Sequence, residues 1–300
     1  NQGGHVTAQL GLQQAKSALL QYAYSYPQFN DDAPGRLPCP YDEESGYSGP
    51  LSSALCNKVG RFPWASANMN FYDAKDASSE YLWYAVSENF YNFNPGGTSV
   101  INSDTKGTIT LVDQSGAVIY NGSVAGIAAV IIAPGVAINR DENNDGVYEY
   151  AQVRSTATEI KDPRNYLDTF NGFDNSVFVN SSAATADGFI LGPIKDQALN
   201  SVVVNDQMIV VTADEVIAMA EKAVLEQYSL AISSFRANVP GGVYPWLFDY
   251  ATTNLDSFNS GLINIGRIPS IFANYFSDNN SESIHSQLRV SVTKSFELSG

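Results

Sequence analysis

The chain has 300 residues, of which 44% are hydrophobic and 12% aromatic, so the composition predicts a globular protein and excludes a disordered one. Its formal net charge is −15, and it has no Lys/Arg-rich run. Because such an acidic surface repels phosphate, nucleic-acid binding is excluded as a main role.

The first predicted element is an amphipathic helix over residues 7–26, with Gly11 as its only glycine and no proline. Apolar residues recur at spacings of three and four, which places them on one helical face. Pro27 is expected to end the helix, since proline lacks the backbone N–H that a helix needs. The apolar positions are Leu12, Ala15, Leu19, Tyr22 and Tyr26.

An irregular stretch over 28–76 holds the two cysteines of the chain, Cys39 and Cys56. They are either two buried free thiols or a disulfide that closes a surface loop and stabilises the fold by about 3 kcal/mol. Two cysteines alone cannot build a tetrahedral zinc site, and neither His5 nor His285 lies near them in sequence. We favour the disulfide, which predicts an oxidising compartment, the periplasm or beyond.

Strand-like segments follow, including a hairpin around the turn at 113–116. The longest apolar run, 124–138, is too short and too interrupted by Gly and Pro to span a membrane, and it predicts a buried strand. Residues 140–186 are polar and predicted to be loop-like. No signal peptide is visible, and we expect that a first segment has been removed. The predicted strands are 81–86, 108–112, 117–120, 127–133 and 207–211.

A second helix is predicted from Thr212, because TADE (212–215) has the form of a capping box. Pro240-Gly241 is expected to end it, and the alternation over 288–298 predicts a half-buried strand. We therefore expect two units, a domain of residues 1–211 and a smaller C-terminal helix-plus-strand unit of residues 212–300. The apolar face of the second helix comprises Ile217, Ala220, Val224, Tyr228, Ala231 and Phe235.

The two helices and the loops after them match at a constant offset of 206 positions, with ten identities over residues 16–63. This pattern indicates a degenerate duplication. Coincidence between two amphipathic helices followed by turns is the alternative. The second copy lacks both cysteines. The first identities are Lys16 with Lys222, Leu19 with Leu225 and Tyr22 with Tyr228.

Three ordered blocks together resemble the large prepilin-like proteins of type IV pilus and type II secretion systems. The first comprises AKSALLQY (15–22), GRLPCP (35–40) and GRFPW (60–64); the second, AAVIIAPG (128–135) and NYL (165–167); the third, ND (205–206), TADE (212–215) and YPW (244–246). Each motif alone is weak, but the ordered set covers about four-fifths of the chain.

The resemblance implies an α+β, pilin-like fold in which a long N-terminal helix packs on an antiparallel sheet. It also implies a basic leader and an apolar helix that anchors the subunit in the inner membrane, and this sequence departs from the family in showing neither. Within the quoted motifs, we expect loop-forming roles at Gly35, Arg36, Pro38, Gly60, Arg61, Pro63 and Trp64, and at Gly266, Arg267 and Pro269 of the second copy.

One loop has the composition of a calcium site. Asp141, Asn143, Asp145 and Glu149 place oxygen ligands at alternate positions around Gly146, which favours a sharp turn. Glu149 comes too early for the twelfth position of an EF-hand. The alternative is an Asx-rich surface turn, which these residues favour for local reasons.

Catalysis has little support in the sequence, and no catalytic residue is assigned. The chain has two histidines and no Gly-x-Ser-x-Gly elbow before a helix. A carboxylate pair for glycoside hydrolysis, drawn from 42–44 or from 141–149, is a further alternative that sequence cannot test, because the chemistry depends on the separation of the carboxyl groups.

We therefore expect a non-enzymatic structural subunit, minor or tip, of a type IV pilus or type II secretion pseudopilus. It is expected to be exported, anchored in the inner membrane facing the periplasm, and then to reach the pilus or cell surface with other pilin subunits as partners. The alternative is an exported pilus-associated adhesin or carbohydrate-binding module that depends on Ca²⁺.

Overall fold

The computed structural model describes residues 2–29, 35–41, 56, 59–64, 69, 71, 74–91, 101–178 and 188–238. In this part of the chain the fold is α+β, with two long α-helices, two short 3-10 helices (Glu159–Lys161 and Pro163–Asn165) and mainly antiparallel sheets. The helices are α1 (Gln2–Phe29) and α2 (Ala213–Asn238), and the strands are β1 (Gly60–Arg61), β2 (Trp83–Val86), β3 (Thr110–Val112), β4 (Val118–Tyr120), β5 (Ala129–Ala133), β6 (Asn139–Arg140), β7 (Tyr150–Ala151), β8 (Thr169–Phe170), β9 (Phe173–Asp174), β10 (Gly188–Ile190), β11 (Ile194–Asp196), β12 (Ser201–Val204) and β13 (Gln207–Val211).

Helix α1 buries the face that its apolar spacing predicts. Leu12, Ala15, Leu19 and Tyr22 are all buried, and they join the main core together with residues of the central sheet. The side chain of Tyr26 lies outside the described residues. The helix is therefore held by packing of one face, as expected for an amphipathic helix in a globular protein.

Pro27 does not end α1, which continues to Phe29. Proline has no N–H to donate to the carbonyl of Ala23, four residues earlier in the helix. The N–H of Gly35, in the loop after the helix, donates to that carbonyl instead, at 3.4 Å. The last turn of the helix thus tolerates the proline because the following loop supplies the missing donor.

A four-stranded antiparallel sheet, in the order β1-β2-β5-β13, forms the centre of the fold. Tyr84 and Ile131 lie in the core that α1 covers, whereas Trp83 and Ile132 lie in a second core on the opposite face. Strand β5 is consequently buried along its whole length. A strand covered on both faces has a continuous apolar sequence, which explains the run at 127–133.

The second layer is a three-stranded sheet in the order β10-β3-β4. Its β3–β4 hairpin is the predicted one, and the Asp113 carboxylate holds the turn by accepting from the N–H groups of Ser115 and Ala117 at 2.8 and 3.0 Å. Strand β10 pairs with β3 in parallel, which departs from the expected antiparallel arrangement. The long connection between these two strands leaves room for the crossover that parallel pairing requires.

Helix α2 begins at the predicted capping box and lies against α1. The Thr212 N–H donates to the Glu215 carboxylate at 2.9 Å, and the Glu215 N–H donates to the Thr212 hydroxyl at 3.3 Å. Glu215 also forms an ion pair with Lys16 of α1 at 2.6 Å. The capping group of α2 therefore also joins the two helices.

The start of α2 shares a core with α1. Val216 and Ile217 belong to the same buried cluster as the apolar face of α1. The predicted unit of residues 212–300 stays a prediction, because the segment after 238 lies outside the described residues. Of the predicted apolar face, Ile217, Ala220 and Val224 are buried, and the side chains of Tyr228, Ala231 and Phe235 lie outside the described residues.

The internal repeat places equivalent leucines in different surroundings. Leu19 is fully buried on α1, whereas Leu225 on α2 is 61% exposed. Lys16 pairs with Glu215, while the ammonium of Lys222 lies 5.0 Å from the ring centroid of Tyr24. Over the described residues, the matched positions therefore do not have matched environments.

Two segments contain more strand than the sequence predicts. The polar residues 140–174 include the short hairpins β6–β7 and β8–β9, and 188–204 contains β10 and the β11–β12 pair, which were not predicted. Strands of two to four residues are too short for an alternating hydrophobic pattern to be recognised in the sequence.

Candidate metal centre, disulfide loop and buried polar network

The predicted calcium loop connects β6 to β7, whose pairing of Arg140 with Tyr150 brings the two ends of the loop together. Asn144 and Gly146 have φ values of 54° and 83°. This left-handed conformation is unstrained in glycine and tolerated by asparagine, and it folds the loop back on itself. The loop thus brings the oxygens of its own side chains close to one another.

Carboxylate oxygens of Asp141, Asp145 and Glu149 all lie within 4.8 Å of one another. Calcium binds oxygen ligands at about 2.3–2.6 Å, so two ligands of one ion lie within about 5 Å of each other. Asp141 is buried, and its oxygens accept from the N–H groups of Asp145 and Gly146 at 3.1 and 2.8 Å. The arrangement is therefore of the right size for a cation such as Ca²⁺.

Asn143, the fourth predicted ligand, contacts the carboxylate cluster through its amide nitrogen. Its Nδ2 donates to the Glu149 Oε1 at 2.8 Å, so this amide presents a donor to the cluster. Asp145 also accepts from the N–H of Val147 at 2.8 Å, which is the hydrogen bond of an Asx turn. Both sequence interpretations, a cation loop and an Asx-rich turn, thus agree with the geometry of this hairpin.

The departure from the EF-hand has a structural reason. Counting from Asp141, the twelfth position is Gln152, which is buried and donates through Nε2 to the carbonyl of Leu167 at 3.3 Å and to Asp168 at 3.0 Å. The chain after Glu149 is strand β7 and not a helix. The residue at position twelve is therefore part of the core and does not face the loop.

Arg140, the residue before the loop, is 1% exposed. Its guanidinium pairs with Asp174 at 2.8 Å and donates to the carbonyl of Arg164 at 3.0 Å and to the Ser176 hydroxyl at 3.3 Å. A buried charge is stable only when it is paired and hydrogen-bonded. Arg140 thus fixes the start of the loop to the segment that carries β8 and β9.

Cys39 and Cys56 lie at disulfide distance, with their Cα atoms 4.7 Å apart, and both are buried. The predicted pairing is therefore seen in the structure. Close to them, the Tyr84 hydroxyl donates to the carbonyl of Pro38 at 3.1 Å, and burial raises the pKa of Tyr84 well above its ordinary value. The segment that precedes Cys39 is thus attached to strand β2 of the central sheet.

The structural-loop residues around the disulfide lie in two places. Gly35 has a φ of 81° and packs close to Ala220, while the Arg36 guanidinium donates to the carbonyls of Asn89 and Tyr91, each at 3.2 Å. Gly60, Pro63 and Trp64 lie at and after β1, and the ring centroid of Trp64 lies 5.0 Å from that of Tyr41 with the two rings tilted by 39°. Their equivalents Gly266, Arg267 and Pro269 lie outside the described residues.

Arg61 is buried among aromatic rings. Its guanidinium lies 4.7 Å from the ring centroid of Tyr81, 5.5 Å from that of Trp83 and 5.2 Å from that of Tyr166. It also donates to the carbonyl of Ile160 at 2.6 Å. Arg61 therefore connects the β1 edge of the sheet to a segment 99 positions later, a contact that no local pattern predicts.

Sequence analysis missed a buried pair of carboxyl groups, Asp168 and Asp206, neither of which has any exposed surface. Their burial separates them from solvent, so they do not offer the open cleft that glycoside hydrolysis needs. The acidic residues 42–44, the other proposed source of a carboxylate pair, lie outside the described residues. The one sequence signal for this pair was that Asp206 belongs to the Asn-Asp pair immediately before a predicted strand.

In comparisons with known proteins, no protein-family model, no curated protein and no solved structure matches this chain. Over the described residues, neither helix is long and apolar enough to cross a membrane.

Proposed function

We propose that this chain is a structural subunit, minor or tip, of a type IV pilus or type II secretion pseudopilus, and that it works by assembly. The observation that carries the proposal is the position of α1. The block AKSALLQY (15–22) forms the part of α1 that packs on an antiparallel sheet, through Ala15, Leu19 and Tyr22. This is the arrangement that the resemblance to prepilin-like proteins implies.

The disulfide loop gives further support. The blocks GRLPCP (35–40) and GRFPW (60–64) meet beside the sheet, where Tyr41 pairs with Arg61. The paired cysteines agree with an exported protein, since disulfides persist in oxidising compartments.

The exposed face of α1 is suited to contacts with other subunits. Gln13, Gln14, Ser17 and Gln21 are exposed on it and carry no charge. An uncharged polar helix face avoids the repulsion that a chain of net charge −15 would otherwise meet from its own copies. In this proposal, other pilin subunits pack here, and a preceding apolar helix holds the subunit in the inner membrane before assembly.

Calcium has a structural role in the proposal. The oxygens of Asp141, Asp145 and Glu149 would hold the ion, and binding would rigidify the β6–β7 hairpin without taking part in chemistry. An exported protein meets Ca²⁺ at concentrations that sites of modest affinity can use.

The test is the native gene upstream of the codon for Asn1. The proposal expects a short basic leader followed by about 20 apolar residues, the length of a membrane-spanning helix, and processing that stops when the prepilin peptidase is deleted. An ordinary cleavable secretion signal would contradict the filament proposal. The exported adhesin or carbohydrate-binding module would then be the function to test.

A further inference from the structure

Two buried aspartates join segments that lie far apart in sequence. Asp168 follows the NYL block (165–167), and Asp206 belongs to the Asn-Asp pair that precedes β13. Neither side chain has any exposed surface. Two motifs that the sequence singles out thus meet at one point in the interior.

The two aspartates hold each other's backbone. The Asp168 Oδ2 accepts from the N–H of Asn205 at 2.7 Å and from that of Asp206 at 3.3 Å. In return, the Asp206 Oδ2 accepts from the N–H of Asp168 at 2.8 Å. This reciprocal arrangement, which we call the aspartate latch, ties the segment before β8 to the connection between β12 and β13.

The two carboxyl groups differ in how many of their oxygens accept a hydrogen bond. The Asp168 Oδ1 accepts from the Gln152 Nε2 at 3.0 Å, so donors face both of its oxygens. The Asp206 Oδ2 also accepts from the Asn175 Nδ2 at 2.8 Å, whereas the Asp206 Oδ1 has no hydrogen-bond partner among the described residues. The Asn175 orientation is fixed, because its own Oδ1 accepts from the N–H of Ile190 at 2.8 Å.

The charges around the latch do not balance if both aspartates are ionised. Arg140 is the cation that acts on both carboxyl groups, and it already pairs with Asp174 at 2.8 Å and lies 3.9 Å from Glu142. Two buried carboxylates that share the charge of one cation, which is already paired elsewhere, carry a large desolvation cost, and one bound proton relieves it.

We propose that Asp206 holds a proton on Oδ1 in the folded protein, and that the aspartate latch is a pH-sensitive device that loosens when this proton leaves to solvent water. The oxygen without a donor is the one that can carry the proton without placing two donors face to face. Asp168, whose oxygens both face N–H donors, stays the ionised partner.

Burial and the neighbouring Asp168 charge raise the pKa of Asp206 well above its ordinary value, whereas the donors that face both oxygens of Asp168 favour its ionised form, so the proton shared by the pair lies on Asp206. An aspartate in the unfolded chain has a pKa of about 3.9. Between these values the folded state holds the proton and the unfolded state has released it. The stability from this proton is therefore complete below about pH 4 and is lost as pH rises toward the folded pKa, by up to about tenfold in the unfolding constant per pH unit.

The test compares Asp206→Asn with Asp168→Asn by urea unfolding between pH 5 and pH 8. Asparagine imitates a protonated aspartate, so Asp206→Asn is expected to fold and to remove up to about a hundredfold of the rise in the unfolding constant between pH 5 and pH 7. Asp168→Asn is expected to destabilise at every pH by about tenfold or more, because its amide would face the donor of Gln152. A pH dependence unchanged in Asp206→Asn, or flattened only by Asp168→Asn, would overturn the proposal.

A second measurement uses the unaltered protein and does not depend on the folding of a variant. Hydrogen exchange, corrected for the intrinsic pH dependence of amide exchange, is followed in peptides that contain the amides of Asp168 and Asn205. The protection factor of these amides is expected to fall as pH rises from 5 to 8, while that of β5 falls less. Equal changes in the two regions, or a constant protection factor, would show that no latch opens.

Discussion

Truncation of Leu19 to alanine tests whether α1 is held on the sheet as the structure describes. The Leu19 side chain is fully buried in the main core. Removing a buried leucine costs about 2–5 kcal/mol, from the lost transfer free energy and the cavity that remains. Leu225, the equivalent residue of the internal repeat, is 61% exposed. Leu225→Ala makes the same chemical change in a helix and is expected to alter stability by only about 0.5 kcal/mol.

The assay is urea unfolding of both variants, followed by far-ultraviolet circular dichroism and tryptophan fluorescence. The expected gap between Leu19→Ala and Leu225→Ala is at least about 2 kcal/mol in the free energy of unfolding. In a thermal melt this corresponds to a difference of about 4 °C or more. Equal losses in the two variants, at unchanged denaturant slopes, would refute the burial of α1 on the sheet.

Three further predictions follow from the loops. Added Ca²⁺ should raise the unfolding temperature of the wild type but not that of Asp145→Ala. Asp104→Ala, a control in another exposed loop, should respond to Ca²⁺ as the wild type does. An equal response in all three proteins would show that the β6–β7 loop is not the Ca²⁺ site. Reduction and alkylation of the disulfide should lower the free energy of unfolding by about 3 kcal/mol, and an unchanged urea midpoint would contradict this. Arg61→Lys should lower the free energy of unfolding by about 1–3 kcal/mol, because lysine cannot stack its charge flat on the rings. The control Arg164→Lys, at a half-exposed ion pair, should lower it by less than about 1 kcal/mol. The reverse order of the two variants in urea unfolding would contradict the Arg61 contacts.

The parts of the fold that sequence predicts are those with a local cause. The buried positions of α1 follow from its 3-4 spacing, and the start of α2 follows from Thr212 and Glu215, whose hydrogen bonds are the predicted ones. Strand β13 has the predicted bounds, because its apolar run lies between a polar pair and the helix cap. In each case, the signal and the interaction lie within a few residues of each other.

The parts that sequence does not predict depend on contacts between distant segments. Helix α1 passes Pro27 because Gly35 supplies a donor, and β10 pairs in parallel with β3 across a long connection. Asp168 and Asp206 hold each other's backbone N–H groups across 38 positions, and Arg140 pairs with Asp174 in another segment. The burial of an isolated polar residue outside helices and strands cannot be predicted from the sequence, because its hydrogen-bond partners are distant in sequence and meet it only in the tertiary structure.

The candidate metal loop lies between these two cases. Its ligand spacing is readable in sequence, and the structure brings the oxygens of Asp141, Asp145 and Glu149 together. The role of Asn143 as a donor to Glu149 could not be predicted, because an amide offers either a donor or an acceptor depending on its surroundings.

Immunogold electron microscopy of the native cells tests the central claim most directly. An antibody raised against residues 101–178 would be applied to intact cells and to filaments sheared from their surface. Assembly predicts gold along or at the tips of filaments, and no labelled filament in a strain without the prepilin peptidase. Label that stays with soluble periplasmic or secreted protein, in a strain whose filaments are intact and unlabelled, would contradict the account.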